Sequence, residues 1–151
     1  MIAYFFDSSA LAKRYHREDG SARVAAIFDE PERRVVISHL TVVEMRSIFA
    51  GKVRAGALDP TKANELVERF KVDIGSESIE VFEVTDFHFR QAENMVARYG
   101  FEHRLRSLDA LQLAVALDLR DQGVGKTIVA ADNVLGEVAL REGLSVVNPS
   151  G

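Results

Sequence analysis

Four carboxylates stand where they could share one metal ion. A run of five mostly β-favouring apolar residues, 2–6, ends directly in Asp7, and Asp132 ends a second apolar run in the same way. Glu44 and Asp109 fall in the first turns of predicted helices. In a parallel α/β sheet, the carboxyl ends of strands and the N-termini of the helices that follow lie on one side. We therefore expect all four acids at one edge of the sheet.

Such a cluster is unfavourable unless a cation neutralises it. Two carboxylates about 4 Å apart repel each other by roughly 4 kcal/mol at an effective dielectric constant near 20. A helix N-terminus offsets only about 0.3–1 kcal/mol of this repulsion. Mg²⁺ and Mn²⁺ prefer carboxylate and water oxygens as ligands. The chemistry that suits this cluster is phosphodiester hydrolysis, in which one metal ion activates a water molecule and a second, if present, stabilises the leaving oxygen.

Each acid also has a purely structural explanation. Glu44 could complete a capping box with the threonine three residues before it, and Asp132 could be an ordinary helix N-cap. Asp7 could accept hydrogen bonds from the amides of a turn. Asp109 is harder to explain in this way, because Ser107 is expected to cap the same helix. These explanations are independent of one another, so their coincidence at one edge favours a shared function.

Strands and helices alternate along the chain. Apolar or alternating segments predict strands at 2–6, 33–39, 79–84, 127–131 and 144–147. Helical periodicity lies between them and is clearest over 107–120, where apolar residues run nearly all round and predict a buried helix. The pattern predicts one α/β domain over residues 1–151, with a mostly parallel central sheet of about five strands flanked by helices.

The composition is that of an ordinary globular protein with a sizeable core. The 151 residues are 47% hydrophobic and 28% charged. The absence of cysteine excludes disulfides and thiolate zinc sites. The N-terminus lacks the features of a signal peptide, and no apolar run approaches the length of a membrane span. We therefore expect a cytoplasmic protein without a membrane partner. The net charge of −4 argues mildly against non-specific coating of nucleic acid, but it leaves room for a local basic rim.

Several arginines lie where a phosphate backbone could pass. Arg14 is in the first predicted helix, Arg46 follows soon after Glu44, and Arg104 and Arg106 precede the buried helix. Solvated helix faces and a basic loop would explain each of them at least as well. The segment 104–106 is the best candidate for contact with a phosphate backbone, because it leads directly into the acid cluster.

Taken together, these residues resemble the PIN-domain ribonucleases and, within them, the VapC-type toxins of bacterial toxin–antitoxin pairs. The resemblance covers essentially the whole chain. It depends on the order and spacing of five segments: Y-F-F-D-S-S-A-L (4–11), T-V-V-E-M (41–45), R-S-L-D-A-L-Q-L-A (106–114), V-A-A-D-N-V-L (129–135) and G-L-S-V-V-N-P (143–149). It implies an endoribonuclease that depends on Mg²⁺ or Mn²⁺, forms a homodimer and is neutralised by a VapB-like antitoxin.

The same resemblance implies roles for individual side chains. The catalytic acids and metal ligands would be Asp7, Glu44, Asp109 and Asp132. Asp7 and Asp109 would be the principal ligands. Ser8 would orient Asp7 or hold a water molecule, and Asn133 could share the role of Asp132.

Two other interpretations remain open at this point. A phosphatase or a DNA nuclease could use the same acids, although a haloacid-dehalogenase-type phosphatase would need an aspartate where Ser9 stands. A catalytically silent PIN-like or receiver-like binding module would also have an acidic pocket. A receiver would need a pair of acids near the N-terminus, whereas Asp7 stands alone after its strand. The presence of Asp7, Glu44 and Asp109 together favours an active enzyme.

Overall fold

Five parallel strands form the central sheet of the computed structural model, which describes residues 2–151. They are β1 (Ala3–Phe6), β2 (Arg34–Ser38), β3 (Glu80–Phe82), β4 (Thr127–Val129) and β5 (Ser145–Val147). Their order across the sheet is β3-β2-β1-β4-β5, and every neighbouring pair is parallel. The predicted α/β fold with a parallel sheet of about five strands is therefore confirmed.

Helices follow and connect these strands. They are α1 (Ser8–Ala12), α2 (Ser21–Asp29), α3 (His39–Arg54), α4 (Pro60–Gly75), α5 (Asp86–Tyr99), α6 (Ser107–Asp121) and α7 (Asn133–Arg141). No helix within residues 2–151 is long and apolar enough to cross a membrane. The strands β3 and β4 are shorter than predicted, because the chain leaves the sheet at residues 83 and 130.

The strand β1 lies at the centre of the sheet and is buried on both faces. Tyr4 and Phe6 point into a core formed with α1 to α4, whereas Phe5 points into a second core formed with α5, α6 and α7. This two-sided burial explains why the strand is a continuous apolar run rather than an alternating one. It also fixes where the strand ends, because Asp7 is the first polar residue after it.

The helix α6 is buried nearly all round, as the sequence predicts. Its apolar residues pack in the second core between α5 and α7, and eight of its fifteen residues are buried. One of the eight is polar, Gln112. Asp109 lies in the first turn of this helix, at the same edge of the sheet as Asp7. The helix therefore brings a carboxylate from the second half of the chain to the end of β1.

Two of the predicted helix caps are wrong. The helix α3 begins at His39 with Ser38 as its N-cap, one turn earlier than a capping box of Thr41 and Glu44 requires. Thr41 is buried inside the first turn, so its hydroxyl serves side-chain contacts instead. The helix α6 has Arg106 rather than Ser107 at its N-cap. Glu44 therefore does not complete a capping box with Thr41.

Candidate active site

Asp7 is a buried carboxylate at the carboxyl end of the central strand. Its backbone N–H donates to the carbonyl oxygen of Val129 at 2.9 Å, which ties the end of β1 to β4. Its side chain accepts a hydrogen bond from the Ser9 hydroxyl, 3.0 Å from Oδ2. Only 6% of the residue is exposed to solvent. A carboxylate in such a place is held by its surroundings and is poorly hydrated.

Burial raises the pKa of Asp7 to about 6, and the negative charges of Asp109 and Glu44 raise it as well. The hydrogen bond from Ser9 lowers this pKa and offsets part of the increase. The contributions of Asp109 and Glu44 mean that both carboxylates lie within electrostatic range of Asp7. The three predicted acids therefore share one electrostatic environment.

Asp109 couples this group to the fourth acid. Burial is the largest cause that raises the pKa of Asp109, and the charges of Asp132 and Glu44 raise it further. Arg106 acts in the opposite direction and lowers it. The guanidinium of Arg106 lies between the two aspartates, with Nε 3.2 Å from Oδ2 of Asp109 and Nη2 3.6 Å from Oδ2 of Asp132. The four acids are thus linked by mutual repulsion, and one arginine partly compensates it.

Glu44 is held by two side chains from other helices. Its Oε1 accepts hydrogen bonds from the Ser8 hydroxyl and from Nε2 of Gln112, each at 2.7 Å. The resemblance implies that Ser8 orients Asp7 or holds a water molecule. In the structure the backbone N–H of Ser8 donates to the Asp7 carboxylate beside the Ser9 hydroxyl, while the Ser8 hydroxyl donates to Glu44.

Gln112 is a residue of the site that the sequence reasoning missed. It is completely buried in α6, and its Oε1 accepts a hydrogen bond from the Ser38 hydroxyl at 2.7 Å. Its Nε2 also lies 2.7 Å from the hydroxyl oxygen of Thr41 and 3.2 Å from that of Ser8. The available signal was a glutamine among apolar residues in a helix predicted to be buried, since a buried amide must find partners.

Asp132 has two functions in the structure. It is the N-cap of α7, where its Oδ1 accepts a hydrogen bond from the backbone N–H of Leu135 at 2.9 Å. Its other oxygen, Oδ2, faces Arg106. The ordinary-cap explanation is therefore correct for one oxygen and leaves the other directed toward the acid cluster. Asn133 is exposed at the start of α7, and its Oδ1 lies 3.5 Å from Nδ2 of Asn148.

The structure separates the four arginines that the sequence assigns to nucleic acid. Arg14 is bound to Asp73 of α4, with 3.0 Å between Nε and Oδ2, and its guanidinium lies 3.8 Å from the centre of the Phe28 ring. These contacts commit it to the packing between helices and argue against a role in binding a substrate. Arg46 and Arg104 are exposed to solvent. Arg106 is the arginine that the described residues place against the acids.

The chemistry of these side chains fits a hard divalent cation. The available ligands are carboxylate oxygens, with hydroxyl and amide groups around them, and such oxygens suit Mg²⁺ or Mn²⁺. Within residues 2–151, no three histidine or acidic side chains lie close enough together to form a complete metal-binding site. Arg106 contacts Asp109 and Asp132, while Ser8 and Gln112 hold one oxygen of Glu44.

Comparison with known proteins identifies a family model and several similar structures. The model of the PIN domain matches residues 4–141. No individual curated protein matches the chain significantly.

The similar structures cover nearly the whole chain at low sequence identity. VapC20 of Mycobacterium tuberculosis, described as a toxin that cleaves the sarcin–ricin loop, is 21% identical over 97% of this chain and 99% of its own, with a TM-score of 0.66. VapBC2 of Rickettsia felis, bound to a promoter DNA fragment, is 11% identical over 97% and 98%, with a TM-score of 0.63. A toxin–antitoxin complex from Klebsiella pneumoniae is 16% identical over 97% of each chain, with a TM-score of 0.59. These similarities are similarities of fold.

Proposed function

The chain belongs to the PIN domain family, and from this we propose that it is a divalent-metal-dependent endoribonuclease, the toxin of a VapC-type toxin–antitoxin pair. The family match covers residues 4–141, and the PIN domain predicted from the sequence is thereby confirmed. PIN domain proteins are nucleases and generally use divalent metal ions. The substrate, the metal and the partners of this chain are our proposals.

One observation carries the proposal: four carboxylates repel one another at the carboxyl edge of β1 and β4. Asp7 is nearly inaccessible to water, yet its pKa is raised by two further acids as well as by burial. A protein gains nothing in stability from such an arrangement, because each unneutralised charge disfavours the folded state. A divalent cation would convert this repulsion into coordination, and that gain would explain why the acids are together.

Asp7, Glu44, Asp109 and Asp132 would hold the metal. When bound, the metal supplies an activated water molecule and neutralises charge on the phosphodiester group under attack. The protein's own residues prepare the site: the Ser9 hydroxyl holds the Asp7 carboxylate, and Ser8 with Gln112 holds that of Glu44.

Arg106 is the side chain best suited to meet a substrate phosphate. Its guanidinium stands beside the acids, and its side chain is 69% exposed, so it can turn from a carboxylate to a phosphate oxygen. A guanidinium binds either group with paired N–H donors. Arg104, exposed in the same segment, would add a second positive charge along the backbone of the RNA.

RNA as the substrate and an antitoxin as the partner are supported by likeness of fold. VapC20 is described as cleaving the sarcin–ricin loop, which is RNA, and the Klebsiella pneumoniae structure is described as a toxin–antitoxin complex. We propose that this chain likewise cleaves RNA, forms a homodimer and is neutralised by a VapB-like antitoxin.

The deciding experiment is the cleavage of total RNA by purified protein from which any antitoxin has been removed. We expect discrete products with Mg²⁺ or Mn²⁺ and none with EDTA. The variants Asp7→Asn and Asp109→Asn should lose cleavage. Asp29→Asn should keep it, because Asp29 is exposed at the end of α2, close to the start of β2 and thus at the opposite edge of the sheet.

Each other outcome has a distinct meaning. Cleavage that persists in EDTA or in both site variants would reject the metal mechanism. Cleavage of single-stranded DNA in preference to RNA would favour the DNA nuclease. Metal binding by a folded protein that cleaves neither nucleic acid would favour the silent module.

A further inference from the structure

We propose that Gln112 is a positioning residue that fixes the Glu44 carboxylate relative to Asp109. This inference deepens the proposed function and rests on it, because it concerns how the acids are held for a metal ion. Among the described acids of the cluster Gln112 contacts only Glu44, and its other contacts at this end are the hydroxyls of Ser8 and Thr41.

The contact itself is short, and its glutamine end is completely buried. Nε2 of Gln112 donates to Oε1 of Glu44 at 2.7 Å, and none of the Gln112 residue is exposed to solvent. The Ser38 hydroxyl donates to the other end of the amide, Oε1, at 2.7 Å. Because a hydroxyl donor occupies the amide oxygen, the amide nitrogen is the end that faces Glu44.

The contact leaves one oxygen of Glu44 available to a cation. Oε1 receives both donors, the Ser8 hydroxyl and the Gln112 amide. Within residues 2–151 no side chain donates a hydrogen bond to Oε2 of Glu44. A carboxylate held through one oxygen presents the other in a fixed direction, which is how hydrogen-bonded neighbours orient metal ligands in other proteins.

The placement of Gln112 on α6 gives this contact a further consequence. Gln112 follows Asp109 by three residues, so the two side chains lie on neighbouring positions of one helix face. Asp109 and Glu44 are within electrostatic range of each other, since Glu44 raises the pKa of Asp109. The hydrogen bond from Gln112 therefore links the helix that carries Glu44 to the helix that carries Asp109, and it sets the spacing of two proposed ligands.

Packing alone does not require a glutamine here. The neighbouring positions of α6 that face the core are filled by alanine, leucine and valine. A buried amide costs free energy unless all of its partners are present, whereas an apolar side chain of the same size would not. The amide lies in a place where its strongest partner is the charged oxygen of Glu44.

The test is the binding of Mn²⁺ to the metal-free protein. Binding is measured from the electron paramagnetic resonance signal of the Mn²⁺ that remains free. We expect Gln112→Met, which is close to the same shape, to weaken Mn²⁺ binding about tenfold, the usual effect of removing a partner of a metal ligand. The matched control is Gln122→Met, the same substitution at an exposed glutamine just past the end of α6, whose amide donates to Asp118 outside the acid cluster. Its affinity should stay close to that of the wild type.

A double-mutant cycle separates the positioning of Glu44 by Gln112 from a general disturbance of the fold. If Gln112 acts through Glu44, then Gln112→Met should have no further effect on Mn²⁺ affinity in a Glu44→Gln background. An equal loss in both backgrounds would overturn the proposal. Gln112→Asn serves as a second variant should the methionine prevent folding, because its shorter side chain moves the amide away from Glu44. Thermal unfolding monitors the fold of each variant.

The remaining outcomes distinguish this inference from the proposed function. Equal Mn²⁺ affinity of the wild type and the Gln112 variants, with lowered stability only, would make Gln112 a structural residue and leave the metal site intact. Absence of Mn²⁺ binding by the wild type would reject the metal site, and the inference with it.

Discussion

Arg106 forms an ion pair with Asp109 inside the acid cluster. Its Nε lies 3.2 Å from Oδ2 of Asp109, and the same guanidinium reaches Asp132. The negative charge of Asp109 in turn raises the pKa of the buried Asp7. The arginine therefore neutralises part of the charge that a divalent cation would neutralise, and the two cations compete for the same oxygens.

Removal of Arg106 should strengthen metal binding. In Arg106→Gln, the oxygens of Asp109 and Asp132 no longer have a competing cation, and we expect Mn²⁺ affinity to rise about threefold, since an exposed ion pair contributes about 0.2–1 kcal/mol. The measurement is Mn²⁺ binding at fixed pH and ionic strength.

The matched control for this change is Arg104→Gln. Arg104 lies two residues away in the same segment, is exposed, and has no ion pair among the described residues. The Arg104→Gln substitution removes the same formal charge but no contact with the carboxylates. Equal increases in Mn²⁺ affinity for the two variants would mean that the effect comes from the net charge of the protein. The proposed competition between Arg106 and the metal would then be rejected.

The exposed charge of Arg104 should act on RNA rather than on the metal. We expect Arg104→Glu to weaken RNA binding and to lower the steepness with which binding falls as salt increases, because fewer counterions are released from the RNA. A suitable measurement is the dissociation constant of an RNA fragment at several salt concentrations in EDTA.

The control for Arg104 is Arg54→Glu, which changes the net charge equally at the far end of α3. A salt dependence that changes as much in Arg54→Glu as in Arg104→Glu would show that the segment 104–106 makes no local contact with RNA.

Ionisation of the buried Asp7 makes an unfavourable contribution to the stability of the metal-free protein at neutral pH. Burial raises its pKa from an ordinary value of 3.8 to about 6, so the folded state holds this proton more tightly than the unfolded chain. The stabilisation due to that proton is complete below pH 4 and is lost as the pH rises through about 6. The loss amounts to about 3 kcal/mol, since each pKa unit corresponds to about 1.4 kcal/mol.

We therefore expect Asp7→Asn to be more stable than the wild type at pH 7.5 by up to about 3 kcal/mol, with the difference vanishing near pH 4. Urea unfolding in EDTA at several pH values measures this. Asp29→Asn, at an exposed aspartate, should follow the wild type throughout. A variant that is less stable than the wild type at pH 7.5 would contradict the destabilising role of the Asp7 charge.

The strands, and the location of the acids at one edge of the sheet, can be predicted from the sequence because their signals are local. The run that ends in Asp7 reports a strand buried on both faces, and the order of strands and helices then determines which edge receives the acids. Asp132 is correctly explained as an N-cap for the same reason, since its partner, the N–H of Leu135, is three residues away. These features need no knowledge of which distant elements meet.

The rest of the site depends on contacts between distant segments. Gln112 meets Ser38 and Glu44 only after α6 has packed across the sheet, and nothing next to it in the sequence indicates those partners. The hydrogen bond from Ser8 to Glu44 likewise forms only once α1 and α3 have packed together. From the sequence alone Arg14 is a candidate for contact with nucleic acid, and its ion pair with Asp73 exists only because α4 packs beside it. Such pairings are properties of the packed chain.

The two oxygens of Asp132 provide a way to separate its structural function from its proposed function as a ligand. Oδ1 caps α7 by accepting from the N–H of Leu135, while Oδ2 faces the acid cluster. Asparagine keeps an oxygen that can cap the helix but lacks the charge. Alanine lacks both.

We expect Asp132→Asn to retain stability and to bind Mn²⁺ and cleave RNA more weakly, whereas Asp132→Ala should in addition lose about 1 kcal/mol of stability through the missing cap. Asp59→Ala is the control for the cap alone, because Asp59 caps α4 through the N–H of Lys62 at 2.7 Å, beyond the far end of α3. It should lose similar stability and keep full activity. If Asp132→Asn binds Mn²⁺ and cleaves RNA like the wild type, then Asp132 is a helix cap only, and Asp7, Glu44 and Asp109 are left as the proposed ligands.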